Sequence, residues 1–141
     1  MSIFNLKQKI NLAKQAIMKS SPIYVQFYIT SRCNLACEQC NIIYADAKHE
    51  EMNIDQIELV AENLKKIGVS IVLLIGGEPF VRKDIHQIVR AFTKRDIHVR
   101  MQTNGLATDK QLENCVAAGG KDISISLDSL HGSTQDKING G

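Results

Sequence analysis

The sequence predicts an α/β fold with parallel strands, and three observations carry that prediction. Segments with the apolar period of a helix alternate with short, β-branched runs along most of the chain. The second such run, Ser70 to Ile75, is almost wholly apolar, as suits a parallel strand covered on both faces. Polar or glycine-bearing sequences follow every run: 31–40, 76–79, 103–105 and 128–129. In parallel α/β proteins ligands bind beyond the C-terminal ends of the strands.

Taken in order, Ile3, Leu6, Ile10, Ala13 and Ile17 recur at steps of three and four and predict a helix over 3–19. Its lysines Lys7, Lys9, Lys14 and Lys19 read as a solvated face. Ile23 to Thr30 is a strand by composition. Residues 31–52 then show no period, and so long a structureless stretch in a compact domain marks function or disorder. Asn53 with Gln56 forms a capping box, after which Ile54, Ile57, Ala61, Leu64 and Ile67 hold one stripe until Gly68. Strands are predicted over 70–75, 97–102 and 122–127, and helices over 84–94 and 108–118, the latter opened by a Thr108–Gln111 box. No helix is predicted after the fourth strand. Four strands are too few to close a barrel, so the sequence reads as the first part of one. Residues 1–22 are read as an N-terminal amphipathic helix and linker, and 23–141 as the core domain.

Composition excludes several classes. The 141 residues are 44% hydrophobic and 23% charged, which is ordinary globular usage. Seventeen Lys and Arg against fifteen Asp and Glu leave a net charge of +2, too little for the field of a dedicated nucleic-acid binder. The longest apolar run, Val69 to Ile75 broken only by Ser70, is far short of the roughly 20 residues that cross a bilayer. No secretory signal is visible at the start, so a reducing, cytoplasmic setting with free thiols is expected.

Three of the four cysteines, Cys33, Cys37 and Cys40, lie within eight residues. At this cysteine content the CxxxCxxC spacing arises by chance in about three chains per thousand of this length, so the motif carries weight. One short loop with three thiols can wrap a metal centre. Structural zinc wants four closed ligands; His49 could supply the fourth, which makes a zinc-stabilised, non-catalytic interaction module the alternative reading. A [4Fe–4S] cluster held by only three thiolates keeps one iron open for a substrate or cofactor, and this reading is preferred.

The CxxxCxxC loop after the first strand, Gly76-Gly77-Glu78-Pro79 after the second, Thr103-Asn104-Gly105 after the third and Ser126-Leu127-Asp128 at the fourth together resemble the radical S-adenosylmethionine (radical SAM) superfamily, over about residues 24–128. The resemblance implies a partial parallel (β/α)6, TIM-like barrel. It implies a [4Fe–4S] cluster on Cys33, Cys37 and Cys40, whose fourth iron is chelated by the amino and carboxylate groups of S-adenosylmethionine. It further implies reductive cleavage of that cofactor to a 5′-deoxyadenosyl radical that abstracts hydrogen from a substrate, in cofactor, tetrapyrrole or peptide maturation. A low-potential electron donor such as ferredoxin or flavodoxin is the implied partner.

Residue chemistry agrees with these assignments. Gly76 and Gly77 allow close approach of a ligand, Glu78 offers an acceptor to a cationic amino group, and Pro79 stiffens the turn. Ser126 and Asp128, two apart on a strand, share a side and offer a hydroxyl and a carboxylate to the cofactor. Thr103 and Asn104 belong to the same turn set, with an amide from Asn104. Two positions depart from the family pattern. Gln39 replaces the usual aromatic residue before the third cysteine, and Ile138-Asn139-Gly140 stands where relatives often carry Ile-Arg-Gly, whose arginine reaches the cofactor carboxylate. Cys115 reads as a small core hydrophobe. Tyr44, Asp46 and His49 read mainly as solvated loop, and His86, His98 and His131 show no partner pattern.

Overall fold

A computed structural model of the chain describes residues 3–18, 22–41 and 50–140. Four strands, β1 (Tyr24–Thr30), β2 (Ile71–Gly76), β3 (His98–Thr103) and β4 (Asp122–Ile125), form one parallel sheet in the order β1-β2-β3-β4. Helix α1 (Leu6–Met18) precedes β1, helices α2 (Ile54–Lys66), α3 (Ile85–Thr93) and α4 (Asp109–Ala117) lie between successive strands, and α5 (Gly132–Ile138) follows β4, with a short 3₁₀ turn at Pro79–Val81.

Local chemistry sets the helix starts. Asn53 and Gln56 exchange side-chain-to-backbone bonds of 2.9 Å each, and Thr108 with Gln111 does the same at α4, as the capping boxes predict. A third reciprocal pair, Asn5 with Gln8, opens α1 at Leu6, three residues inside the predicted start.

The core lies on one face of the sheet. Val72 and Leu74 of β2 and Val99 and Met101 of β3 meet Ile57 and Ala61 of α2, Ile88, Val89 and Phe92 of α3, and Cys115 of α4. Phe27 joins edge-on to Phe92 with ring centroids 5.9 Å apart. The opposite face is polar toward its flanks: Gln26, Tyr28, Arg100 and Gln102 are exposed around Leu73 and Ile75 of the central strand. The helices thus cover one face of the sheet and leave the other without a helical layer among the described residues.

Two expectations are corrected. The periodic residues of α1 form a helix but not a packing face, for Leu6, Ile10 and Ile17 are 60–82% exposed. The polar side docks instead: Ser70 Oγ accepts from Asn11 Nδ2 at 2.7 Å and donates to Gln15 Oε1 at 2.8 Å. A helix also follows β4. α5 has no apolar stripe to read because it buries none of its residues; Gln135 Oε1 holds it by accepting from Asp128 N–H and Ser129 N–H at 2.9 and 2.8 Å. β4 itself ends at Ile125, two residues early, although Ser126 N–H still reaches Thr103 O at 2.8 Å.

Among the described residues nothing pairs with the outer side of β4, and Ile123, Ile125 and Leu127 nearby are 40–64% exposed. An uncharged open edge recruits other strands. The chain is therefore expected to self-associate with rising concentration on size-exclusion chromatography, and Ile125→Lys is expected to shift it toward the monomer. Concentration-independent monomer elution of the parent chain would refute this.

Candidate functional site

The C-terminal ends of the strands are joined by backbone contacts so close that only glycine fits. A Cβ on Gly76 would lie 2.2 Å from Thr30 O, and one on Gly77 2.2 Å from Arg32 O. The pair was expected to admit a ligand; its first purpose is to let β2 run against β1 past the register shift between Tyr28 and Thr30. Gly77 N–H then bonds Thr30 O at 3.0 Å and Glu78 N–H bonds Arg32 O at 2.9 Å.

Glu78 is 2% exposed. Its Oε1 accepts from Phe80 N–H at 2.9 Å and from the Thr103 hydroxyl at 3.0 Å, and its Oε2 accepts from Asn104 N–H at 2.7 Å. The sequence reading has this carboxylate offer an acceptor to a cationic amino group; three of its roughly four acceptor positions are engaged with the chain. Glu78 thus caps the Pro79–Val81 turn and fastens the end of β2 to the end of β3. Thr103 Oγ1 also accepts from Gly105 N–H at 3.1 Å, and Asn104 Oδ1 from Leu106 N–H at 3.1 Å, closing the Asn-Gly turn. Asn104 Nδ2 donates to Asn34 Oδ1 at 2.8 Å, which ties this turn to the cysteine loop.

The loop is anchored at both roots by residues that the sequence reading did not single out. Arg32, beside Cys33, makes a two-pronged bond to Glu51 at 2.7 and 2.9 Å, and the Thr30 hydroxyl donates to the same carboxylate. Arg82, 4% exposed, grips Asp84 through Nε and Nη2 at 2.9 and 2.6 Å and donates to Ile29 O and Met52 O. Arg82 thereby joins β1 to the segment returning from the loop. The bonds from Arg32 to Glu51 and from Arg82 to Ile29 and Met52 span 19 to 53 residues and leave no local signature. Among the described residues every buried side-chain nitrogen and oxygen has a partner.

All eleven residues singled out by sequence line one cavity of about 270 Å³: Cys33, Cys37, Cys40, Gly76, Gly77, Glu78, Pro79, Thr103, Asn104, Ser126 and Asp128. Leu35, Gln39, Ile75, Gln102 and Asn139 complete its wall. Gln102 and Ile75 were missed, though each occupies the end of a strand on its cavity face. Ser126 Oγ accepts from Gln102 Nε2 at 3.0 Å. Tyr44, Asp46 and His49 lie outside the described residues. Cys115 is fully buried in the core, where desolvation pushes its thiol up to about 11.

The three loop thiols are partly exposed and reduced. Cys40 N–H turns back onto Cys37 O at 3.1 Å. The Cys37 thiol is raised above its ordinary value by burial first, then by the neighbouring Cys33 and Cys40. Three neighbouring sulfurs suit a cationic centre, which would hold them deprotonated together. Among the described residues no three His, Cys, Asp or Glu side chains converge tightly enough for a single metal ion. Three cysteine sulfurs on one short loop are the kind of donor that an iron–sulfur cluster takes.

A family model described as the radical SAM superfamily matches residues 27–141. The chain belongs to the radical SAM superfamily. Among curated radical SAM relatives, a GTP 3′,8-cyclase of Peptoclostridium acidaminophilum is 35% identical over 113 residues, covering 77% of this chain and 35% of that protein. An AdoMet-dependent heme synthase of Methanosarcina barkeri is 31% identical over 125 residues, covering 87% and 36%. The chain thus spans about a third of the length of these relatives. Among solved structures it is similar to Streptococcus suis SuiB bound to the precursor peptide SuiA, with a TM-score of 0.71, 25% identity, and coverage of 94% of this chain and 30% of that one. SuiB bound to S-adenosylmethionine gives a TM-score of 0.69 at 26% identity, with coverage of 94% and 32%. The four strands are accordingly part of a radical SAM parallel barrel.

Two outcomes follow for the radical SAM site. Glu78→Gln turns one buried acceptor into a donor facing donors, so unfolding in urea is expected to show a loss of about 1.5–3 kcal/mol; unchanged stability would remove Glu78 from its bracing role. Hydrogen bonds from Arg32 hold the Glu51 carboxyl below its ordinary range. A depressed carboxyl stabilises above its unfolded value and loses that contribution as pH falls through the folded one. Glu51→Gln should therefore cost about 1 kcal/mol at pH 7, discounted for Arg32's exposure, and nothing once acid has protonated the parent carboxylate. A difference independent of pH would contradict this.

Proposed function

We propose that this chain is the cluster- and cofactor-binding part of a radical SAM enzyme, with Cys33, Cys37 and Cys40 holding a [4Fe–4S] cluster beside S-adenosylmethionine. The observation that carries the reading is that one cavity gathers the three thiols and the turns closing β2, β3 and β4. When bound, the cluster and cofactor supply one-electron reductive cleavage of a sulfonium, yielding methionine and a 5′-deoxyadenosyl radical that takes a hydrogen atom from substrate.

The chain's own residues bind and orient. Three thiolates leave one metal corner without a protein ligand, where a small molecule can chelate. The backbone of Gly76, Gly77 and Pro79, fixed by Glu78, offers a rigid polar edge for an amino acid group. Asn104, Ser126 and Asp128 supply an amide, a hydroxyl and a carboxylate for the remaining polar atoms of the cofactor, and Thr103 holds that turn in place. Leu35, Ile75 and Pro79 give the cavity an apolar wall that keeps water from a reactive radical. Gln39 replaces aromatic stacking with hydrogen bonding where the resemblance puts the adenine.

The relatives named above act in nucleotide cyclisation and heme synthesis, and SuiB takes a peptide. Maturation of a cofactor, tetrapyrrole or peptide is therefore the proposed setting, with a ferredoxin- or flavodoxin-like protein as electron donor.

Anaerobic reconstitution with iron and sulfide should give a brown protein with about four irons and a shoulder near roughly 400 nm from thiolate-to-iron charge transfer. Cys33→Ala, Cys37→Ala and Cys40→Ala are each expected to lose it, and Cys115→Ala to keep it. One colourless zinc per chain would put the interaction module in place of the enzyme.

A further inference from the structure

Asn139 stands where the family pattern carries an arginine, and its side chain meets a cysteine: Oδ1 lies 3.4 Å from Cys37 Sγ. We propose that Asn139 is a positioning residue whose amide donates a hydrogen bond to the Cys37 thiolate, and that α5 thereby raises the reduction potential of the cluster on this loop. The inference rests on the cluster reading above.

The contact is one of several that fix the end of α5 against the middle of the cysteine loop. Ile138 O accepts from Glu38 N–H at 3.3 Å. Gly140, at φ 75°, sits so close that a Cβ there would lie 2.7 Å from Ala36 O. Asn139 N–H closes the last turn onto Gln135 O, and Gln135 holds Asp128 N–H and Ser129 N–H at the other end. α5 is therefore a short strut from the turn after β4 to Cys37, and Asn139 is its tip.

With a thiol, sulfur donates and Oδ1 accepts. A ligating thiolate has no proton, and a half-turn of the amide presents Nδ2–H to the sulfur from the same position. Hydrogen bonds to ligating sulfur draw off electron density and favour the reduced, more negative cluster, which is an established means of setting its potential. Cys33 receives a backbone N–H, that of Leu35 at 3.4 Å, whereas the amide on Cys37 can be altered by substitution.

The test is an anaerobic redox titration of the reconstituted chain, following the EPR signal of the reduced cluster beside its iron content. Asn139→Leu keeps the size and removes the donor; Asn139→Asp keeps the shape and adds a repelling charge. Both are expected to retain iron and to titrate at more negative potential, with about a tenfold shift in the reduction equilibrium for Leu, about 59 mV for one electron, and more for Asp. Asn139→Ser, a shorter donor, should fall between parent and Leu. Equal potentials in all four proteins would overturn the inference while leaving the cluster reading intact. Loss of iron from Leu and Asp alike would also overturn it, by making Asn139 a purely structural contact. A parent chain that takes up no iron would overturn the cluster reading and this inference with it.

Discussion

The buried Glu78 carboxylate, with Phe80 N–H, the Thr103 hydroxyl and Asn104 N–H around it, is the interaction on which the geometry of the site depends. A charge at 2% exposure is costly unless it is fully hydrogen-bonded, and these three donors come from two different strand ends. Satisfying the charge therefore fixes the spacing of β2 and β3 at their C-terminal edge. Asn104, held through its backbone by Glu78, reaches Asn34 with its side chain, so the same carboxylate sets where the cysteine loop sits over the sheet.

A loop carrying three thiols gains nothing from packing, since its side chains must stay available to a ligand. Its shape is imposed from outside. Arg32 with Glu51 and Arg82 with the carbonyls of Ile29 and Met52 clamp its roots, Asn34 holds its near side, and the tip of α5 touches its middle. Pre-organisation of this kind lowers the ordering cost of binding, because the chain has already lost the freedom that a ligand would otherwise have to remove. The gathering of three sulfurs is then the feature that a cationic centre would use, by holding them as thiolates.

How much was legible in the sequence follows the range of the interactions. Asn53 with Gln56 and Thr108 with Gln111 act across three residues, so the helices they open were readable to within a residue. The core stripe of α3 and the burial of Cys115 were readable from period. The residues of the candidate site could be named because chemistry-bearing types recur just after each strand, which topology carries to one edge. What failed was long-range. α5 depends on Gln135 reaching the turn after β4, and the docking face of α1 depends on Ser70, some 55 residues away. That the glycine pair also clears Thr30 and Arg32 is equally invisible locally. Nothing local shows that Thr103 and Asn104 turn back to Glu78.

The central claim is that three protein thiolates leave one metal corner for S-adenosylmethionine. The most direct measurement is the EPR spectrum of the anaerobically reconstituted, reduced chain before and after the cofactor is added. The account predicts a cluster signal whose g-values change when S-adenosylmethionine binds at the open corner. A cluster signal that the cofactor leaves unaltered at saturating concentration would contradict it.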